Sequence, residues 1–323
     1  MTEPQQTPRG RFAPSPSGRM HLGNAWTALL AWLDIRKQNG AMVLRMEDLD
    51  PDRSRPDYAA GLLADLRWLG LDWDEGPDVG GPAAPYCQSQ RSHYYQAAFD
   101  RLQQAGLVYP CFCSRAELRL AASAPHAGDT EVPYSGRCAA LTELAVTKLR
   151  AAGRRPSYRL RVGDAAVEYS DEVYGRQKQV LRQECGDFVI RRSDGVFAYQ
   201  LAVVVDDAAM GISRVLRGAD LLASTPRQIY LWHLLAASPP TFIHVPLLIG
   251  RDGSRLSKRH GSLAIAALRG AGVPAQKIVG QLAAWAGLID RPMPASPREL
   301  VSVFDLSRLP RESVCVDDSL KFE

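Results

Sequence analysis

Apolar positions repeat with a helical period in several segments of the chain. From residue 24 to about residue 38 the apolar side chains fall on one face, a basic turn follows, and Gly40 comes soon after. This pattern predicts an amphipathic helix that ends before the glycine. The same periodicity predicts helices over residues 56–69 and 94–104, and two more after Leu263, one of them in "AQKIVGQLAAWAGL".

Short apolar runs between these segments predict strands. They comprise residues 11–13, 42–46 and 213–218 and the stretch "FIHVPLLIG", which is expected to be the last strand. The run at 201–205 is continuously apolar, which is typical of a strand covered on both faces. Because strands alternate with helices, the expected fold class is α/β with a Rossmann-like parallel sheet.

A helix start is indicated at "TPRQ", residues 225–228. Threonine is a common capping residue, proline is favoured at the first helical position, and glutamine three residues later completes a capping box. We therefore expect a helix capped by Thr225.

The composition changes between residue 108 and about residue 183. This part contains a cysteine cluster, the small-residue loop "AASAPHAGDTEVP" and strand-like stretches such as "SYRLRV". We expect an insertion with its own small fold at 108–185. It would separate the first half of the Rossmann-like domain (1–107) from the second half (186–262), which a short helical part (263–323) follows.

Charge and hydropathy narrow the class of protein. The chain has 323 residues and a formal net charge of +4, a mild excess that allows a nucleic-acid partner without indicating one. The first residues, "MTEPQQTPRG", lack the apolar core of a secretory signal. No apolar run approaches the ~20 residues of a membrane span. We expect a cytoplasmic protein without a membrane partner.

The stretch "RFAPSPSGRMHLGNAW" places a proline-rich loop between the first strand and the first helix. A loop in this position is where open α/β sheets bind ligands, and the unpaired N–H groups of a helix start suit phosphate. His21 would add a ring donor, and Gly23 lets a flat ring approach the backbone. The dinucleotide and P-loop signatures are absent. The alternative is a plain proline-rich connection with a capped helix.

The loop "RLSKRH", residues 255–260, concentrates positive charge after the last predicted strand. By itself it is more typical of a solvated basic loop. Together with the His21 stretch it would lie at the carboxyl edge of the sheet, where the two segments could hold a nucleoside triphosphate from two sides.

Three closely spaced cysteines, Cys111, Cys113 and Cys138, favour a tetrahedral Zn²⁺ site. His126 is the ordinary chemical choice for a fourth ligand. The alternative is three reduced structural thiols without metal. The other cysteines, Cys87, Cys185 and Cys315, are expected to be core or surface thiols.

Several motifs occur together in a specific order. "RFAPSPSGRMHLGN" with "RLSKRH" resembles the HIGH and KMSKS signatures of class I aminoacyl-tRNA synthetases, and "RMEDLD", "FAYQLAVVVDD" and "VLRGADLL" narrow the resemblance to the glutamyl branch. The resemblance covers residues 11–260. Two departures are visible: Asn24 replaces the second histidine of the first signature, and Arg255-Leu256 replaces Lys-Met in the second.

The resemblance implies activation of glutamate by ATP. His21 and Lys258 would stabilise charge on the phosphates as catalytic residues, with Mg²⁺ bridging phosphate oxygens. The implied ATP-binding residues are His21, Gly23, Asn24, Ser257 and Lys258. The implied glutamate-binding residues are Arg11, Ala13, Ser15, Glu47, Tyr199 and Arg217. The short homologues of this branch also imply Tyr134 as the fourth zinc ligand, so that His126 and Tyr134 both remain candidates.

The length after Lys258 leaves no room for the large helical anticodon-binding region of a full glutamyl-tRNA synthetase. The chain therefore resembles the short paralogues of the branch. These imply activation of glutamate without tRNA and its transfer to queuosine in tRNA(Asp), whose anticodon arm would be the partner. "KLRAAGRRPSYRLR" and "FVIRRSDG" are candidate RNA contacts or simply solvated basic faces. The alternatives are a truncated synthetase that charges a tRNA 3′ end and a non-catalytic binding module.

Overall fold

A computed structural model describes residues 7–114, 117, 133–164, 166–254, 256, 263–317, 320 and 322. Three of the predicted positions, His126, Ser257 and Lys258, lie outside the described residues.

The largest sheet has six strands in the order β2-β1-β8-β9-β5-β6. The first five are parallel to their neighbours, and only β6 is antiparallel. The strands are β1 (Arg9–Phe12), β2 (Ala41–Leu44), β5 (Ala166–Asp171), β6 (Gly175–Val180), β8 (Arg214–Gly218) and β9 (Thr241–Val245). Because β1 pairs with β2 on one side and with β8 on the other, the strand order reverses at its carboxyl end. Open α/β sheets bind ligands at such a point. The expected α/β class with a mainly parallel sheet is therefore confirmed.

Two smaller sheets accompany it. An antiparallel sheet is formed by β3 (Val108–Cys111), β4 (Ser157–Leu160) and β7 (Phe188–Arg191), and a parallel pair is formed by β10 (Leu248–Ile249) and β11 (Val314–Cys315). The predicted domain limits at 107, 185 and 262 stay a prediction. The β5–β6 hairpin, at 166–180, joins the six-stranded sheet, whereas β7, at 188–191, joins the three-stranded sheet.

The helices pack around these sheets. They are α1 (Leu22–Lys37), α2 (Pro56–Trp68), α3 (Ser92–Gln104), α4 (Glu143–Ala151), α5 (Leu181–Glu184), α6 (Tyr199–Ala209), α7 (Thr225–Leu234), α8 (Ile265–Gly270), α9 (Ala275–Trp285) and α10 (Pro297–Leu300). The helices predicted at 24–38, 56–69 and 94–104 and in the C-terminal part are confirmed, with ends shifted by up to three residues. Almost every side chain from Leu22 to Ile35 is buried, so α1 is a core helix. No helix in the described ranges is long and apolar enough to cross a membrane.

The strand predicted at 201–205 is wrong, because these residues belong to α6. All residues from Leu201 to Asp207 are buried. A helix covered on all sides is apolar all round, and a short apolar run does not distinguish it from a buried strand. The correction matters because α6 carries two buried carboxylates, Asp206 and Asp207, into the centre of the molecule.

Two further predictions are corrected. Thr225 is not the cap of α7: the cap position belongs to Ser224, and a 3-10 helix at Ala219–Ser224 runs directly into α7, so Thr225 is already helical. Its hydroxyl is used elsewhere, as described below. The strand predicted from "FIHVPLLIG" is divided at Pro246 into β9 and β10, and it is not the last strand, since β11 follows.

Candidate active site

The loop after β1 leads into the N-terminus of α1 at His21. The backbone N–H of His21 donates to Asn24 Oδ1 at 3.2 Å, and the Asn24 N–H donates to the His21 carbonyl at 2.9 Å. Asn24 therefore helps to fix the first turn. A Cβ on Gly23 would lie 3.0 Å from two atoms of the His21 ring, so the glycine makes room for this imidazole.

Both flanks of the segment that carries Ser257 and Lys258 lie beside this helix start. On one side, Leu256 is buried, and its side chain approaches within 3.9 Å of the Cβ position of Gly23. On the other side, Ala264 forms an antiparallel bridge with His21, and the next N–H donates to the Met20 carbonyl at 2.9 Å. The described flanks of the second predicted ATP-binding segment thus contact the first segment, and Ser257 and Lys258 lie outside the described residues.

Arg217 on β8 is 4% exposed and is held by neutral acceptors. Its Nε donates to His244 Nε2 at 3.0 Å and its Nη2 donates to Thr225 Oγ1 at 2.8 Å. Over the ranges that the structure covers, its buried Nη1 meets no hydrogen-bond acceptor and no carboxylate forms an ion pair with the guanidinium. Burial, together with the charge of Arg11, lowers the pKa of Arg217. The site therefore contains a buried cation that lacks a contacting anion.

The neighbouring cations are matched by carboxylates. On β1, Arg11 Nε lies 3.3 Å from Asp207 Oδ1. Directly after β2, Arg45 donates to Asp207 Oδ1 at 2.6 Å and to Glu47 Oε1 at 3.1 Å. Burial alone would raise the pKa of Asp207, but the charges of Arg11 and Arg45 lower it. Asp207 thus fixes Arg11 directly and Glu47 through Arg45.

The remaining predicted residues lie on α6, after β2 and in the loop after β1. Tyr199 is the first residue of α6 and is half-buried. Burial raises the pKa of its hydroxyl, and the charges of Arg217, Glu47 and Arg11 all act on this group, which places Tyr199 among them. Burial also raises the pKa of Glu47, against the opposing effect of Arg45. Ala13 is half-buried and Ser15 is exposed in the loop after β1.

Sequence reasoning did not find three residues that organise this site. Arg45, Asp207 and His244 are buried and hold other site residues in place. Arg45 and Asp207 were visible only as charges inside apolar stretches, in "VLRMED" and "VVVDDA". A charge in such a position indicates a buried partner, because charged groups are almost never fully buried unless paired.

The cysteine cluster is a separate site beside the three-stranded sheet. The sulfur atoms of Cys111, Cys113 and Cys138 lie within 4.8 Å of one another. The Tyr134 hydroxyl is 3.4 Å from the first and 3.7 Å from the second, and it accepts the backbone N–H of Cys138 at 2.9 Å. Arg159 Nε is 3.3 Å from the Cys111 sulfur. All six cysteines of the chain are free thiols, with Cys185 buried, Cys87 half-buried and Cys315 exposed.

These donors fit a zinc ion. Three thiols and one phenol converge, which gives the four ligands of a structural tetrahedral site. The adjacent Arg159 side chain would offset part of the negative charge of the thiolates. Burial raises the pKa of Cys113 to about 11, so that this thiol ionises with difficulty unless a cation joins it.

Comparison with known proteins agrees with this geometry. The family model described as the catalytic domain of class I tRNA synthetases (E and Q) matches residues 8–292. The glutamyl-Q tRNA(Asp) synthetase of Nitratidesulfovibrio vulgaris is 56% identical over 94% of this chain and 93% of its own length. That of Symbiobacterium thermophilum is 55% identical over 94% of each chain.

A solved structure shows the same fold. The glutamate-tRNA synthetase of Elizabethkingia anophelis superimposes with a TM-score of 0.83 at 27% identity, and the match covers 96% of this chain and 68% of that one. The resemblance drawn from the motifs is thus confirmed: the chain belongs to the class I tRNA synthetases of the glutamate and glutamine branch and is an enzyme of the ligase type.

Proposed function

We propose that the protein activates L-glutamate with ATP in the absence of tRNA and then transfers the glutamate to queuosine in the anticodon of tRNA(Asp). The observation that carries the first half is the buried Arg217 guanidinium without a contacting carboxylate. A cation in this state favours an anionic ligand, and a guanidinium suits a carboxylate. The second half rests on the named relatives that are more than half identical to this chain.

In this proposal the pocket recognises both ends of the amino acid. Arg217 binds the side-chain carboxylate, and Glu47 accepts the ammonium group, which would also relieve the unfavourable burial of its charge. Tyr199 offers a hydroxyl, and Arg11, Ala13 and Ser15 line the approach after β1. Neutral glutamine would leave the Arg217 charge buried and unmatched, so we expect it to be rejected strongly.

ATP would lie over the N-terminus of α1. The proposed phosphate contacts are His21, Asn24, Ser257 and Lys258, while Gly23 keeps the His21 ring close to the backbone. Glutamate attacks the α-phosphorus through a carboxylate oxygen, and pyrophosphate leaves. Mg²⁺ would neutralise part of the phosphate charge. Positioning and neutralisation of phosphate charge carry the rate. In the second step a queuosine hydroxyl attacks the activated carbonyl carbon, and AMP leaves.

We also propose that Cys111, Cys113, Cys138 and Tyr134 hold one structural Zn²⁺. The convergence of the Tyr134 hydroxyl on the thiols supports Tyr134 as the fourth ligand. Four protein ligands leave no open position, so the ion would stabilise this part of the chain and take no part in the chemistry.

The candidate RNA contacts divide into two groups. Arg155, next to the end of α4, is exposed and available to phosphates, whereas its exposed neighbour Arg154 already pairs with Glu117 at 3.5 Å. By contrast, Arg159 is buried against the cysteine cluster, and Arg192 forms an ion pair with Asp50 at 3.0 Å. We therefore place the proposed tRNA contact at the exposed end of α4. Binding should weaken with salt, because contacts to phosphates release counterions.

The decisive experiment determines where on the tRNA labelled glutamate becomes attached. The protein is incubated with labelled glutamate, ATP and tRNA(Asp), with and without queuosine, before and after removal of the 3′ terminal nucleotides. The proposal requires labelling that depends on queuosine and survives trimming. If trimming abolishes labelling, the protein charges a tRNA end. If no glutamate-dependent exchange between ATP and pyrophosphate occurs, it is a binding module.

A further inference from the structure

A chain of buried side chains leads from Arg217 to Asp171 at the carboxyl end of β5. His244 on β9 accepts from Arg217 through Nε2 at 3.0 Å, and its Nδ1 lies 2.7 Å from Asp171 Oδ2. Thr225 completes the arrangement, with its hydroxyl 3.1 Å from His244 Nε2 and 2.8 Å from Arg217 Nη2. His244 and Thr225 are fully buried, and Asp171 is 2% exposed.

The hydrogen bonds fix the protonation of the imidazole. Arg217 Nε–H can only donate, so His244 Nε2 must accept and the ring proton must lie on Nδ1, where it donates to Asp171. Asp171 itself accepts only N–H groups, from the His244 ring, from the backbone of His244 and from the backbones of Val173 and Tyr174. The arrangement therefore requires a neutral histidine and an ionised aspartate.

The chemistry of these acceptors determines what Arg217 can bind. A carboxylate in place of the imidazole would neutralise the guanidinium, as Asp207 does for Arg11. An imidazole nitrogen and a hydroxyl oxygen orient the same group and leave its charge available. The charge of Asp171 does not contact the arginine, because the His244 ring lies between them.

We propose that His244, oriented by Asp171, and Thr225 are positioning residues that fix the Arg217 guanidinium without neutralising it. They thereby set the selectivity of the pocket for glutamate over glutamine. This inference rests on the proposed activation of glutamate. It assigns no contact with the substrate to either residue; both act through Arg217.

The test measures glutamate-dependent exchange between ATP and pyrophosphate for His244→Leu, His244→Gln, Thr225→Val and Thr225→Ser. His244→Leu leaves a buried Arg217 donor unmatched and should raise the KM for glutamate about fivefold to 150-fold. The KM for ATP should not change, and the preference for glutamate over glutamine should fall. His244→Gln and Thr225→Ser, which keep an acceptor, should recover most of the loss.

Thr225→Val is nearly isosteric and keeps the inference testable if the histidine variants do not fold. It should raise the KM for glutamate in the same direction by a smaller factor. His233→Leu, at an exposed histidine near the end of the same helix, is the matched control and should behave as the wild type. A merely structural role would change the KM for ATP and the KM for glutamate together.

The outcomes separate the two proposals. If the wild type shows exchange and Arg217→Met loses it, but folded His244→Leu and Thr225→Val keep the wild-type KM and selectivity, the inference is wrong and the proposed function stands. If the wild type shows no glutamate-dependent exchange, both are wrong.

Discussion

Arg45, directly after β2, and Arg217, on β8, are two buried arginines with opposite electrostatic surroundings. Arg45 has Asp207, Asp206 and Glu47 within 3.7 Å, and these charges raise its pKa against the effect of burial. Within the part of the chain that the structure describes, Arg217 contacts only neutral acceptors, and burial lowers its pKa. The two arginines are both buried, but one is paired within the chain and the other is not.

The difference shows how a binding site can be recognised without a ligand. A buried charge that is paired within the chain contributes to the fold, and removal of one partner leaves the other uncompensated. A buried charge that is oriented but unpaired costs stability and is compensated only when an anion binds. The pKa of the paired Arg45 is raised and that of the unpaired Arg217 is lowered, whereas the exposed fractions of the two side chains do not distinguish them.

Arg45→Met should give the largest effect on stability. The substitution leaves Asp207 and Glu47 with one fewer cation in a buried site, and breaking a buried pair costs about 3–5 kcal/mol. Urea denaturation of the variant should show a loss of this size. Arg53→Met, at an exposed arginine, is the matched control and should stay within about 0.5 kcal/mol of the wild type. If Arg45→Met lost as little free energy of unfolding as Arg53→Met, the contrast between Arg45 and Arg217 would fail.

Lys258→Ala extends the comparison to a cation that is needed only for ATP. Loss of one donor to the developing phosphate charge should lower kcat for exchange by about 10²–10³-fold. The free energy of unfolding should not change, unlike that of Arg45→Met. Steady-state exchange and urea denaturation of the same preparation check both statements. Exchange at a near wild-type rate would exclude Lys258 from the mechanism.

The proposed zinc site at the cysteine cluster resembles the Arg217 arrangement with the sign of charge reversed, because its donors would bind a cation. Tyr134→Phe removes one donor and should weaken zinc retention more than about tenfold, since even outer partners of a metal site cost 10–100-fold. Zinc retention is measured by metal analysis after dialysis against increasing concentrations of a chelator. Cys315→Ser, at an exposed thiol, should retain zinc as the wild type does. A wild type that holds no zinc would contradict the site.

The sequence predicted the parts of this site that local motifs encode. A helix from residue 24, two residues after its observed start, and the cysteine spacing follow from short stretches of sequence, and motif resemblance implied Arg11, Glu47 and Arg217. The two acceptors of Arg217, Thr225 and His244, and Asp171, which orients His244, come from three other elements, and nothing in the sequence near residue 217 indicates them. Thr225 illustrates the problem, because its local pattern indicates a helix cap while its hydroxyl is held by a strand eight residues earlier.

The buried helix at 199–209 was missed for a related reason. Its apolar run has no period that separates helix from strand, and only packing decides. The pairing of Asp207 with both Arg11 and Arg45 then depends on which way that helix faces. Contacts between residues this far apart in the sequence are set by the folded structure, so local sequence patterns do not predict them.

Arg217→Met should have the smallest effect on stability and is the sharpest test of the comparison. Removal of an unpaired buried cation leaves no carboxylate uncompensated. The Thr225 hydroxyl can still donate to His244 Nε2, which lies 3.1 Å away. We expect the free energy of unfolding without ligand to change by no more than about 1 kcal/mol, in contrast to Arg45→Met. The wild type should gain about 2.7 kcal/mol at a glutamate concentration 100 times its Kd, and the variant should gain almost none. Urea denaturation with and without glutamate measures both quantities. A ligand-free loss as large as that of Arg45→Met would mean that Arg217 supports the fold, and the distinction between the two arginines would fail.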